Sequence, residues 1–193
     1  MGANMKFAGS QIANVNATAL LFDIGGSFIH PRSDLTVGLV VSNLGFPLSK
    51  YTEAGELKIP WDVRTGFTYK PTYMPFRFSI TAHSLVNGDI LYYNSDDSFN
   101  ENEPGGFDKI LAHAVIATEI VIHRNFSALI GYNHQRRKEL RLPSTSGGAG
   151  FSFGARLGIK AFSVSYSRVQ YHVAGGSNTF TLSADFNRLI RKK

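Results

Sequence analysis

The densest chemistry in the chain is a basic run within "GYNHQRRKELRLP": Gln135, Arg136, Arg137, Lys138 and Arg141. Guanidinium and ammonium groups spaced this closely can take phosphates or a partner's carboxylates. The plain alternative is a solvated loop whose charges touch nothing specific. Nucleic acid fits less well, because it draws on basic residues spread over a face with aromatics for stacking. The opposite charge gathers in "VNGDILYYNSDDSFNENEPGG", with Asp89, Asp96, Asp97, Glu101 and Glu103. Their spacing does not follow the EF-hand pattern, so the stretch reads as an exposed acidic loop able to pair with the basic one.

Other chemistries find little support. The chain has 6 histidines, none in an HExxH or comparable close ligand spacing. "GGAGFSFG" follows neither GxGxxG nor a P-loop with its lysine, and reads as a loop end where backbones approach closely. Serines and threonines abound, but no set of nucleophile, base and orienting group stands out. With 0 cysteines, disulfides, thiolate metal sites and cysteine nucleophiles are excluded. No catalytic residue, cofactor or metal ligand is therefore assigned, and the expectation is a protein that is not an enzyme.

The elements that must carry the basic run are strands. Hydrophobic residues make up 43% and charged residues 18% of the 193, which suits a folded domain rather than a disordered chain. A net charge of +6 favours anionic neighbours without choosing among them. Helical spacing is nearly absent, and alternation recurs in blocks of roughly ten residues. Trp61, Val63, Thr65, Phe67 and Tyr69 share one face, opposite Asp62, Arg64, Gly66, Thr68 and Lys70. The same alternation covers 76–83, 151–160 and 179–186, and more weakly 20–28, 35–42, 112–122, 126–133 and 162–166. With a first block around Met5 and Phe7, about ten strands are expected. Ala112 is assigned to the apolar face of one strand, and His83 and His113 to the polar face.

A soluble antiparallel sandwich would show the same period. Two features favour a membrane barrel instead. Aromatics of the apolar face gather at strand ends, as interfacial girdles do: Trp61 and Tyr69, Phe126 and Tyr132, Phe151, Phe162, Phe180 and Phe186. The other face is too charged and glycine-rich for a dry core. Connections alternate too: tight at 30–34, 70–75, 123–125 and 160–161, and longer at 45–60, 86–106 and 134–150, with a short 174–178 on the longer side. Outer-membrane barrels pair short periplasmic turns with longer outside loops, which sets the long connections outside and the C-terminus inside. The basic run then lies on an exterior loop, at a rim where lipopolysaccharide phosphates or a partner's carboxylates would meet it. No stretch has the ~18–20 apolar residues of a spanning helix, and the start lacks a secretory signal.

"GYNHQRRKELRLPSTSGGAGFSFGARLGIK", "IPWDVRTGFTYKPTYMPFRFSITAH" and "DLTVGLVVSNLG" resemble the PorV/PorQ group, outer-membrane proteins of the type IX secretion system of Bacteroidetes and relatives of FadL-type transporters. The first two stretches resemble its PorQ branch. The resemblance covers nearly the whole chain and implies a FadL-like barrel of about fourteen strands. It also implies a non-enzymatic role: anchoring a PorZ-like surface protein beside PorU-like and PorV-like members of the complex that attaches secreted cargo to lipopolysaccharide. No nucleic acid is implied. Three departures stand out. There is no signal peptide, the family's first strands are missing, and the ending "SADFNRLIRKK" runs past Phe186 rather than finishing on an aromatic. The expectation is one β-barrel domain over 1–193 that is all-β and antiparallel, about ten C-terminal strands of a larger barrel unable to close alone. A FadL-type transporter of hydrophobic small molecules is the rival function, and a soluble sandwich binding module the third.

Overall fold

A computed structural model describes residues 1–12, 15–49, 59–91, 104–140, 147–172 and 175–186. The ten strands run β1 (Gly2–Ile12), β2 (Val15–Ile29), β3 (Asp34–Ser49), β4 (Asp62–Lys70), β5 (Phe76–Ala82), β6 (Ala114–His123), β7 (Phe126–Asn133), β8 (Phe151–Ile159), β9 (Phe162–His172) and β10 (Gly175–Ala184). All lie in a single sheet in sequence order, each antiparallel to the next. Two short helices, α1 (Gly106–Ala112) and α2 (His134–Leu140), lie in the connections before β6 and after β7. The architecture is all-β and antiparallel, as the alternation implies.

Register keeps the two chemistries apart. One row reads Val37, Phe67, Ile80, Ile116, Tyr132 and Phe151 across β3 to β8, entirely on the apolar face. The next residue along β4, Gly66, joins Gly38 and Thr81 in a polar-face row. Because side chains alternate strictly, a slip of one residue in β4 would turn Arg64, Gly66 and Thr68 onto the apolar face and Phe67 away from it.

The described residues form no apolar core. The only buried hydrophobics among the described residues are Ala17, Ala19, Leu91, Ala112, Ala149 and Ala161. The rings of the apolar face are open: Trp61 is 45% exposed, Phe67 46%, Phe78 44% and Phe153 53%. The described residues supply no second layer over them, so the two-sheet sandwich is not the fold. Among the described residues β1 and β10 each pair on one side only, and the sheet is open.

Several boundaries differ from the sequence reading. β3 does not stop where the connection 45–60 was expected but continues to Ser49. Asn43 adopts φ 59° and the register with β2 shifts between Phe22 and Ile24. This bulge reverses parity, so Leu44 and Phe46 rejoin the apolar face opposite Phe22 and Leu20. Pro47 is tolerated because β4 pairs only up to Ser42, leaving the far side of 43–49 an edge. Ala112 closes α1, fully buried, instead of opening β6. β9 extends to His172 and β10 begins at Gly175, so residues 175–178 of the expected 174–178 connection lie within a strand.

Candidate functional site

The long connections carry the basic run, which is helical rather than an extended loop. Asn133, the last residue of β7, accepts a hydrogen bond on Oδ1 from the backbone N–H of Arg136 at 2.9 Å. This is the N-cap pattern, and it starts α2 at His134. One helical turn then sets His134 and Lys138 on a common face, four residues apart.

Both reach the same carboxylate. His134 Nε2 donates to Asp108 Oδ1 at 2.8 Å, and Lys138 Nζ lies 2.9 Å from Asp108 Oδ2. The other ring nitrogen of His134 is 3.1 Å from the Tyr132 hydroxyl, which donates to it when the ring is neutral. Asp108 stands on α1, so this cluster fastens the connection before β6 to the one after β7. Hydrogen bonds from Lys138 and then His134 hold the Asp108 carboxyl below the usual carboxylate range.

The remaining members of the run are occupied as well. Gln135 Nε2 donates to the Ile90 carbonyl at 3.4 Å and to Glu139 at 3.1 Å. The Arg136 guanidinium sits 5.0 Å from the centre of the Tyr171 ring, and Arg137 donates to the Gly147 carbonyl. Arg141 lies outside the described residues. Four of the five singled-out residues are thus drawn together, largely as fasteners within the fold. Their outward faces remain at the rim, with Lys138 exposed.

Among the described residues the acid that meets the basic run is Asp108, which lies outside the acidic stretch. Asp89 pairs with Lys109 at 3.0 Å and accepts from the Leu91 N–H, and these bonds lower its pKa in that order. Asp96, Asp97, Glu101 and Glu103 lie outside the described residues. Asp108 and His134 escaped the sequence reading because 26 residues separate them. Only the i, i+4 spacing of His134 and Lys138 hinted at a shared partner, and "HQRRKEL" lacks the apolar spacing that would mark a helix.

Below this junction, His113 Nδ1 donates to the His83 carbonyl at 3.0 Å, and His83 N–H donates to the His113 carbonyl at 2.9 Å. The pair ties the top of β5 to the start of β6. Burial pushes the His83 imidazole below its ordinary pKa. Among the described residues no group of three or more side chains could hold a metal ion.

The polar face is laced with ion pairs: Lys6 with Asp23 at 2.7 Å, Arg64 with Asp62 at 2.6 Å and Arg77 with Glu119 at 2.5 Å. Two cavities of about 790 and 520 Å³ open on this side. Arg77, Glu119, Arg156 and Lys160 line the larger, beside the tight turns; Lys6, Asp23 and Arg64 line the other. The apolar face carries aromatics at both ends. Trp61, Tyr132 and Phe151 lie toward the long connections, and Tyr69, Phe76, Phe126 and Phe162 toward the turns. Compared with protein-family models, curated proteins and solved structures, the chain matches none.

Proposed function

We propose that this sheet is the wall of an outer-membrane β-barrel in a Gram-negative bacterium. In this reading it is a non-enzymatic component of the type IX secretion system that anchors a PorZ-like surface protein near PorU-like and PorV-like partners. The observation that carries the membrane part is an apolar face, continuous over ten strands, that no described residue covers. Left in water, each half-exposed Phe or Ile forgoes on the order of 1 kcal/mol of burial, and the sum over the belt is prohibitive. Hydrocarbon removes that cost while the ion-paired side lines an aqueous interior. Strands of 7 to 16 residues bracket the ~9–11 that a tilted strand needs to cross a bilayer. Lipid would also require both open edges, β1 and β10, to be paired.

The narrower assignment rests on the sequence resemblance, and the rim supports it physically by presenting a rigidified basic helix beside the long connections. Transport of fatty acids fits less well, since it calls for an apolar pocket and the larger cavity is lined by Arg77, Glu119, Arg156 and Lys160. The membrane reading is tested by the single tryptophan, Trp61. Its fluorescence in vesicles is expected to be quenched by brominated acyl chains, and an unquenched Trp61 refutes the reading. The anchor role is tested by photo-crosslinking from Glu139 in whole cells. A surface protein trapped there supports it, and no adduct in cells that display the chain rejects it.

A further inference from the structure

Among the described strands, Arg168 on β9 is the sole charged side chain on the apolar face. It is in register with Phe153 on β8 and Asn178 on β10. It is exposed, and no described residue forms an ion pair or hydrogen bond with it. No carboxylate of the described strands lies on this face to pair with it. The Tyr166 hydroxyl donates to Asn178 Oδ1 at 2.9 Å, which leaves the Asn178 amide nitrogen as that side chain's open group. Tyr166 itself packs on Phe180, ring centres 4.8 Å apart, and Val164 and Leu182 continue the apolar surface toward the turns. A guanidinium surrounded by hydrocarbon is costly unless it reaches an anion at the bilayer surface, and arginine matches phosphate geometry with paired donors.

Building on the membrane reading, we propose that Arg168 and Asn178 hold the phosphate of a membrane lipid whose acyl chains lie along Phe153, Val164, Phe180 and Leu182. The site is on the outer surface of the sheet, separate from the basic run of α2. It is a lipid site rather than a bare anion site because everything below the two donors is apolar. The full chain, purified in a neutral maltoside detergent, is titrated with phosphatidylglycerol, and bound lipid is counted by native mass spectrometry. R168Q is expected to weaken retention by about tenfold, with R168K and N178A intermediate. Retention by R168Q equal to that of the parent overturns the proposal while leaving the membrane reading intact. Equal displacement by inorganic phosphate overturns the lipid assignment. If the chain stays a stable monomer in buffer without detergent, the membrane reading falls and this proposal with it. Should R168Q lose its far-ultraviolet dichroism, R168K and N178A decide: reduced retention supports the site, and unchanged retention rejects it.

Discussion

Phe67→Arg separates the environments the apolar face could have. Phe67 lies in the body of β4, opposite Val37 and Ile80, and is 46% exposed with no described layer above it. If lipid covers it, an arginine there costs ~2–4 kcal/mol, a shift of roughly 30- to 1,000-fold in the folding equilibrium. If water covers it, the same change is a surface substitution worth within about 0.5 kcal/mol. Thr81→Arg is the matched control, because Thr81 is exposed on the polar face of the neighbouring strand and beside the smaller cavity. Urea unfolding of the chain folded into phosphatidylcholine vesicles, followed by Trp61 emission, reads both. The expectation is a large loss for Phe67→Arg and little for Thr81→Arg. Equal small losses would refute the argument that the face needs a non-aqueous cover.

Three further outcomes follow from the same geometry. Asp108→Asn removes the charge shared by His134 and Lys138, and is expected to speed amide exchange in α2 about fivefold, roughly 1 kcal/mol, without changing the strands. Because the Asp108 pKa is lowered, its contribution is present above the ordinary value of 3.8 and is lost as pH falls through the lowered one, so exchange in α2 should rise only under acid. His83 is held neutral by burial, so its contribution is full above 6.5 and declines as pH falls toward its lowered pKa; melting at pH 5.5 against 7.5 should show this, and His83→Gln should flatten it. Gly45→Ala sets a Cβ 2.0 Å from the Leu20 carbonyl oxygen, so a loss of about 1–3 kcal/mol and exchange at the β2–β3 end are expected.

The strands were legible because their signal is local. In "DVRTGFTYK" Val63, Thr65, Phe67 and Tyr69 follow one another two positions apart, and no distant contact is needed to assign their face. The order of tight and long connections was legible for the same reason. The continuation of β3 was not, because the bulge at Asn43 reverses parity and makes a single strand resemble the end of one. Nor was α2, whose seven residues carry no apolar spacing and which is held by a cap and by Asp108. The basic run read as free at the rim for want of the partners that occupy it.

Alternation by itself determined that this chain makes antiparallel strands with one apolar and one polar side, since pleating converts sequence parity directly into a face. Tertiary structure alone decided that the described strands form a single open layer, and that Arg136 sits over the Tyr171 ring while Arg137 and Lys138 reach Gly147 and Asp108. Those outcomes depend on contacts between residues far apart in the chain, whose meeting is fixed by register and loop docking rather than by any neighbour's identity.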